Sequence, residues 1–295
     1  MSEEKSFSKV SINWYPGHMV KAQNEIKANL KLIDIVVEIL DARIPVSSGN
    51  PIIKNLAKDK QRIVILNKCD LADKNESIKW KNYFEKMGVS CILTNANIGE
   101  NIKNIVNEIN KKGNIIYGQK YKDKKVNINP IYRVLIVGIP NVGKSTIINK
   151  LANRQVANVG NKPGVTKNKQ WIRISGNIEL LDTPGLLWPK FDDESIGIKL
   201  ALTGNIKQEI LDMEEIAVNG IEILMKNETY REIFIKKYKL ENENLDIIPY
   251  DILEIIGRKR GCLISGGNVD MEKAAKLFLE EFKNGKIGNF TLDCI

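Results

Sequence analysis

Short apolar runs rich in β-branched residues alternate with amphipathic segments over the first two thirds of the chain. Buried strands are predicted by four such runs, at 33–40, 62–66, 90–93 and 133–137. Helical spacing of apolar residues predicts helices at 17–32, near 76–87, at 100–112 and from Lys144 onward. Residues 170–174 and 178–181 predict a hairpin. Strands alternating with helices indicate an α/β fold with a mostly parallel sheet.

The pattern changes after about residue 200, where no comparable strand recurs. Helices alone are predicted there, at 206–225, 228–239, 248–257 and 269–284. A Lys-rich stretch at 117–129 has few apolar residues and predicts a solvated joining segment. We therefore expect a first domain over 1–200, with halves 1–116 and 130–200 around that segment. A smaller all-α domain over 201–295 should follow, with the boundary between about 190 and 205.

The net charge of +9 is unevenly distributed along the 295 residues. Residues 1–200 hold 32 Lys and Arg against 19 Asp and Glu, whereas residues 201–295 hold 13 against 17. A positive excess favours a nucleic-acid partner, although a generally Lys-rich composition gives the same number without one. The last third can contact RNA phosphates only through local clusters, at Lys236–Lys239 and Arg258–Arg260, which could equally be solvated helix ends.

Other features of the composition narrow the class of protein. The longest apolar runs fall short of the roughly 18 to 20 residues of a membrane span. The polar start at 1–10 lacks the apolar core of a secretory signal. Four cysteines without a C-x-x-C pair argue against zinc and suit a reducing compartment. We expect a cytoplasmic protein that has no membrane contact and does not bind DNA.

A phosphate-binding loop is the most specific motif of the chain. The segment from Gly138 to Ser145 matches G-x-x-x-x-G-K-[ST], after a predicted strand and before a predicted helix. In such a loop backbone N–H groups surround the phosphates, the lysine reaches the β and γ phosphates and the hydroxyl binds Mg²⁺. The nucleotide-binding residues predicted here are Pro140, Asn141, Val142, Gly143, Lys144, Ser145 and Thr146.

Two further elements of a γ-phosphate site follow that loop. Asp182-Thr183-Pro184-Gly185 ends a predicted strand, where Asp182 suits a water-mediated Mg²⁺ contact and the Gly185 N–H a γ-phosphate contact. Thr166 lies between the two motifs, where a Mg²⁺-binding switch threonine belongs. Each has a plainer interpretation, as a tight turn and as an ordinary loop threonine.

A guanine-reading motif stands earlier in the chain. In Asn67-Lys68-Cys69-Asp70 the carboxylate can accept hydrogen bonds from guanine N1–H and the 2-amino group, donors that adenine lacks there. Asn95 and Ala96, after the next strand, resemble the loop that backs the guanine ring, although Ser-Ala is usual. An ordinary GTPase has these two motifs last, so their position before Gly138 predicts a circularly permuted GTPase domain.

The permuted order and three longer segments resemble the ribosome biogenesis GTPase A family, over about residues 13–205. The segments are Trp14–Met19, Asp41–Pro45 and Asp182–Pro189. The resemblance implies a factor that acts late in assembly of the large ribosomal subunit, with the subunit precursor and its rRNA as partners. It also implies slow GTP hydrolysis that the particle stimulates, with GTP and GDP bound alternately. We expect a monomer.

The group that positions the attacking water is not evident. Leu186 stands where many GTPases have a glutamine, and an aliphatic side chain cannot orient water. The resemblance suggests that His18 acts near the γ-phosphate, although it could merely pack the Pro-Gly turn. A similar loop in potassium-dependent GTPases suggests that Asn141 holds K⁺, although it could simply bond backbone. Asp41 and Arg43 are interpreted as a structural pair without a catalytic role.

Two other functions fit the same motifs. One is a GTPase switch in RNA modification or signalling with no ribosomal role. The other is a nucleotide-gated RNA-binding module with negligible hydrolysis, which the aliphatic Leu186 would favour.

Overall fold

The strands form one mixed sheet. The computed structural model describes residues 24, 26–120, 130–154, 171–174, 176–181, 193–206, 212–240 and 248–295. The strands are β1 (Ile35–Asp41), β2 (Gln61–Asn67), β3 (Ser90–Thr94), β4 (Tyr132–Val137), β5 (Trp171–Arg173) and β6 (Ile178–Leu181). Their order is β3-β2-β1-β4-β6-β5, and each neighbouring pair is parallel except β5 with β6. The predicted mostly parallel α/β fold and its hairpin are confirmed.

The apolar runs are buried because helices cover both faces of the sheet. All seven residues of β1 are buried. In β2 the side chains alternate: Ile63 and Ile65 join the main core, whereas Val64 and Leu66 pack in a second cluster with Trp80. A strand covered on both faces buries the side chains of both faces, which explains why its sequence is a nearly continuous apolar run and not an alternating one.

Four of the α-helices in the described residues accompany the sheet. They are α1 (Pro51–Leu56), α2 (Lys74–Lys86), α3 (Ile102–Lys120) and α4 (Lys144–Ala152). Helix α1 was not predicted, because six residues are too few for a periodic pattern. Its signal is local: the Asn50 side chain accepts from the Ile52 N–H at 2.9 Å, with proline in the first turn. Helix α3 continues to Lys120, so the predicted joining segment begins as helix.

Five further α-helices of the described residues follow from residue 194 onward. They are α5 (Glu194–Leu202), α6 (Met213–Lys226), α7 (Glu228–Tyr238), α8 (Pro249–Lys259) and α9 (Met271–Lys283). Helix α5 was not predicted and falls inside the proposed boundary interval. The predicted start of α6 at 206 was too early, because the Asp212 carboxylate caps the helix by accepting from Glu214 N and Glu215 N. The helical character of this region is confirmed.

Glycines let these helices approach closely. A Cβ on Gly220 of α6 would lie 2.6 Å from a methyl carbon of Leu202 in α5 and 3.1 Å from the Phe278 ring in α9. A Cβ on Gly257 of α8 would lie 2.8 Å from Ala274 Cβ. Helix α6 is the centre of the helical region, because it contacts α5, α7, α8 and α9. Among the described residues, no helix is both long and apolar enough to cross a membrane.

The sheet order places the two predicted motifs beside each other. Strand β1 pairs with β2 on one side and with β4 on the other. The loops that leave the carboxyl ends of β2 and β4 therefore flank the end of β1, at Asp41. Loops at this edge of a parallel sheet are where ligands of such folds bind. Motifs about 70 residues apart in an unusual order thus meet at one edge.

Candidate nucleotide-binding site

The phosphate loop runs from β4 into α4. Gly143 has φ of 102°, and a Cβ there would lie 2.2 Å from the Asn67 Nδ2, so glycine is required. The Lys144 side chain is buried, and its Nζ donates to the carbonyl oxygens of Gly138 at 3.1 Å and Ile139 at 2.8 Å. Helix α4 begins at Lys144, so its free N–H groups and positive dipole end face the loop.

The other predicted loop residues occupy this turn and the start of α4. Asn141 has left-handed backbone, with φ of 56°, and its Nδ2 donates to the Gly204 carbonyl at 3.1 Å. Pro140 and Val142 are buried, whereas Ser145 and Thr146 in the first turn of α4 are partly exposed. Asn141 is thereby tied to the turn that follows α5, a contact that the sequence did not predict.

Asn67 joins the two motifs. It is the last residue of β2 and is 3% exposed. Its Nδ2 donates to the Val142 carbonyl at 2.8 Å, and its Oδ1 accepts from the Ala96 N–H at 3.1 Å. One buried amide therefore links the predicted base-reading, phosphate-binding and base-backing loops to one another.

The rest of the base-reading loop is partly exposed. Lys68 has left-handed backbone, with φ of 59°, and the Leu71 N–H closes a turn onto the Lys68 carbonyl at 3.0 Å. Burial, with the Glu100 and Asp70 carboxylates nearby, raises the pKa of the Cys69 thiol to about 11, so this side chain stays neutral. The loop therefore presents Asp70 as its chemically distinctive group.

Asn95 and Asn97 shape the base-backing loop. Asn95 is buried, and its Oδ1 accepts from the Asn97 N–H at 3.1 Å. Ala96 is also buried, with its N–H held by Asn67. The atypical asparagine at the first position therefore supports the turn through its side chain, which accepts from the backbone two residues later, as in Asx turns.

Asp41 is the centre of a buried charge network beside this loop. Its Oδ1 accepts from Arg43 Nε at 2.9 Å, and its Oδ2 accepts from Arg43 Nη2 at 2.7 Å and from Lys68 Nζ at 2.8 Å. Asn205 Nδ2 donates to the same Oδ2 at 3.0 Å. The base-reading motif and the turn after α5 therefore share one carboxylate.

The charges of this network are mutually dependent. Burial alone would raise the pKa of the Asp41 carboxyl, but the Arg43 and Lys68 cations outweigh it and hold that pKa well below its ordinary value. Burial lowers the pKa of the Lys68 ammonium, and the Asp41 carboxylate opposes that effect. A buried anion between two cations costs little only while all three remain in place.

Arg43 extends the network to two helix ends in the C-terminal third. Its side chain is 2% exposed. Its Nη2 donates to the Thr203 carbonyl at 2.8 Å and its Nη1 to the Lys283 carbonyl at 3.0 Å. These carbonyls lie at the C-terminal ends of α5 and α9, where helices leave acceptors unsatisfied. The predicted structural pair is thus also the link between the sheet and the helical region.

A cavity of about 510 Å³ lies between these elements. One wall comes from the base-reading and base-backing loops, including Asp70 and Asn97, and another from Asn141 and Thr146 of the phosphate loop and α4. The helical region supplies the third wall, at Thr203, Gly204, Glu280, Lys283 and Asn284. This third wall was not predicted, because its residues join the site only through contacts between distant segments.

Several predicted site residues lie outside the described residues. They are His18, Thr166, Asp182, Gly185 and, at the glutamine position, Leu186. Their predicted roles in sensing phosphate, binding Mg²⁺ and activating water therefore stay predictions.

The two basic clusters of the helical region form one exposed surface. Lys236 and Lys259 are exposed at the ends of α7 and α8, and Lys259 Nζ donates to the Lys239 carbonyl at 2.7 Å. The Arg260 guanidinium lies 5.3 Å from the centre of the Tyr238 ring and pairs with Glu281 at 3.2 Å. Clusters separated by about 20 residues thus present their positive charge together.

Comparison with known proteins agrees with this geometry. A family model described as 50S ribosome-binding GTPase matches residues 133–249. Ribosome biogenesis GTPase A of Priestia megaterium is 45% identical over 290 residues, which cover 96% of this chain and 97% of the relative. The Bacillus cereus protein of the same name is 45% identical over 288 residues, 96% of this chain and 93% of the relative. The GDP-bound structure of TM YlqF has a TM-score of 0.63 at 31% identity, over 91% of this chain and 98% of that one.

Proposed function

Because the chain belongs to the ribosome biogenesis GTPase A family, we propose that it is an assembly factor that acts late in maturation of the large ribosomal subunit. It binds guanine nucleotide and hydrolyses GTP. In the proposed cycle, the GTP-bound protein docks on the immature particle, the particle stimulates hydrolysis and the GDP-bound protein leaves.

The observation that carries the nucleotide site is the pair of hydrogen bonds made by Asn67. They hold the guanine-reading and phosphate-binding loops on one cavity, at a spacing set by a single side chain. In this site Asp70 accepts from the guanine edge, Asn95 and Ala96 back the ring, and residues 140–146 hold the phosphates. The close approach required at Gly143 fits a loop whose backbone N–H groups face an anion.

The donor set at the phosphate end suits Mg²⁺. Ser145 supplies a hydroxyl at the first turn of α4, and Thr166 and Asp182 complete the proposed ligands, the last through water. The ion neutralises charge on the β and γ phosphates when it is bound. Lys144 adds a fixed cation at the same place, so this chain's own contribution is chiefly positioning and charge stabilisation.

Hydrolysis in this chain needs a substitute for the missing glutamine. We assign His18 to orient the attacking water, since a neutral imidazole accepts a hydrogen bond from it. Asn141 is the proposed K⁺ ligand. Its Nδ2 is engaged with the Gly204 carbonyl, which leaves the amide oxygen as the ligand atom. A cation there would offset charge that develops in the transition state.

The basic surface at the ends of α7 and α8 is the proposed rRNA contact. Its lysines and arginines are exposed except for the half-buried Lys237, and the surrounding region has net negative charge, so attraction to phosphates is confined to this patch. Arg260 is held in this patch by two contacts. Its guanidinium lies over the Tyr238 ring and pairs with the Glu281 carboxylate.

Co-sedimentation with purified large subunits tests the ribosomal role. The protein should pellet with subunits in the presence of a non-hydrolysable GTP analogue and much less with GDP. Lys236→Ala combined with Arg258→Ala should weaken pelleting several-fold, whereas Lys276→Ala on the exposed side of α9 should not. Equal pelleting with the GTP analogue and with GDP would contradict the proposed nucleotide-dependent switch. No pelleting with either nucleotide would favour a role in RNA modification or signalling.

Turnover with and without subunits tests the alternative of an RNA-binding module. GTP hydrolysis should be slow for the protein alone and should rise at least about tenfold with saturating subunits. Subunit preparations without the protein give the background rate. A rate that subunits do not change would leave only nucleotide-gated binding.

A further inference from the structure

The helical region reaches the proposed nucleotide site at the last turn of α9. Glu280, Lys283 and Asn284 line the cavity on the side that neither predicted motif supplies. Asn284 Nδ2 donates to the Glu280 carbonyl at 2.8 Å, and Lys283 Nζ lies 3.4 Å from Glu280 Oε1. These side chains thus form a polar wall with one partly exposed cation.

Lys283 points across the turn that touches the phosphate loop. A Cβ at Gly204 would lie 2.9 Å from Lys283 Cδ and 3.0 Å from Cε, so the alkyl chain rests on Gly204. The carbonyl of Gly204 in turn accepts from Asn141 of the phosphate loop. The alkyl chain therefore packs on the turn after α5 that contacts this loop, and Lys283 and Asn141 line the same cavity.

The backbone at the same place is fixed to the base-reading half. Arg43 Nη1 donates to the Lys283 carbonyl at 3.0 Å. Two residues later a Cβ on Gly285 would lie 2.9 Å from Leu71 Cδ2, and Asn289 Nδ2 donates to the Asp70 carbonyl at 2.9 Å. The wall cannot shift without disturbing the loop that reads guanine.

We propose that Lys283 is a nucleotide-binding residue, which supplies from the helical region a cation for the phosphate groups of bound GDP or GTP. The inference rests on the proposed nucleotide site and extends it. Glu280 and Asn284 orient the ammonium. Nucleotide binding and docking of α9 then stabilise each other, because the same bound nucleotide contacts both regions.

Calorimetric titration with GDP and Mg²⁺ tests this proposal in the full chain. Lys283→Ala should raise the Kd for GDP about tenfold, equivalent to about 1.4 kcal/mol. Lys283→Arg keeps the cation and should stay within about threefold of wild type, which corresponds to about 0.7 kcal/mol. Lys276→Ala and Lys286→Ala are the matched controls, because both lysines are exposed on the same segment outside the cavity.

The outcomes separate this inference from the proposed function. Asp70→Asn should weaken GDP binding at least about tenfold through the lost guanine contacts. If it does so while Lys283→Ala behaves like Lys276→Ala, the role of Lys283 is refuted and the nucleotide site stands. If the wild type binds no GDP, both fail. Urea unfolding without nucleotide shows whether Lys283→Ala is folded, and equal weakening by Lys283→Arg and Lys283→Ala would count against a charge effect.

Discussion

Replacing Arg43 by lysine tests the link between the sheet and the helical region. Lysine keeps the positive charge but loses the planar fork, so it cannot pair with Asp41 and donate to both helix ends at once. The Arg43 side chain donates four hydrogen bonds of 2.7–3.0 Å. Asp41 accepts two of them, and the Thr203 and Lys283 carbonyls accept one each.

The expected loss follows from the two carbonyl bonds. A hydrogen bond to a charged group contributes about 1.5–3 kcal/mol, so losing both costs about 3 kcal/mol at the lower end of that range. The new ammonium still pairs with Asp41, and for that reason the larger penalty for breaking a buried ion pair does not apply. The carbonyls at the ends of α5 and α9 would be left without their charged donor.

Urea unfolding without nucleotide measures this loss, because bound ligand would otherwise add its own stabilisation. With a slope of about 3 kcal/mol per molar, the midpoint should fall by about 1 M. Arg258→Lys is the matched control: Arg258 pairs with Glu254 at an exposed site, so its change should stay within about 0.5 kcal/mol. Equal midpoints for the two variants would refute the claim that the Arg43 fork holds the helix ends.

Four further predictions concern the site. Because the pKa of Asp41 is held well below its ordinary value of 3.8, its stabilising effect is complete above that pH and declines progressively as the pH falls further. The stability gap between wild type and Asp41→Asn should therefore begin to narrow between pH 5 and pH 3 in urea titrations. Gly143→Ala should abolish detectable GDP binding, because its Cβ would lie 2.2 Å from the Asn67 amide. A calorimetric Kd for GDP equal to that of the wild type would contradict this prediction. If Asn141 holds K⁺, GTP turnover should be faster in KCl than in NaCl at one ionic strength, and equal rates would end the idea. His18→Ala should lower subunit-stimulated turnover by at least about 100-fold and leave the Kd for GDP unchanged, whereas unaffected turnover would exclude His18.

Local sequence patterns predicted the elements whose signals are themselves local. The strands were predictable because strands covered on both faces are short apolar runs. The phosphate and guanine-reading loops were predictable because each is a contiguous motif with its chemistry in adjacent residues. The unusual order of the motifs could also be recognised from the sequence. The two motifs are neighbours in the structure because β1 lies between β2 and β4.

Other elements carried too little periodic signal. Helix α1 is too short, and α5 is buried at Gly197, Leu200, Ala201 and Leu202, which removes the polar face that identifies an amphipathic helix. Asp193 caps α5 by accepting from the Ser195 N–H at 2.8 Å. The sequence thus contains a capping residue for this helix, but no amphipathic pattern follows it that would have predicted the helix. The third wall of the cavity depends on contacts such as that between Arg43 and Lys283, which are 240 residues apart.

The last residues of the chain, around Leu292 and Asp293, contact the half of the permuted domain that comes first in the sequence. The chain leaves the predicted phosphate sensor at 182–185 to enter the helical region, and its end returns to the base-reading half. Leu292 N–H donates to the Arg43 carbonyl at 2.7 Å, and the Asp293 carboxylate accepts from the Val46 N–H at 2.8 Å and pairs with Lys199 at 2.9 Å.

Within the described residues, the helical region is thereby hydrogen-bonded to the base-reading half, and in the chain it follows the predicted sensor directly. A region attached only downstream of the sensor could respond only to the γ-phosphate. We expect a region that also contacts the base-reading loop to respond to the whole nucleotide, because it bonds the Asp70 carbonyl and shares the Asp41 carboxylate with Lys68. We therefore expect amide hydrogen exchange in α9 to be slower in the GDP-bound protein than in the nucleotide-free protein, so that the γ-phosphate is not required for the effect.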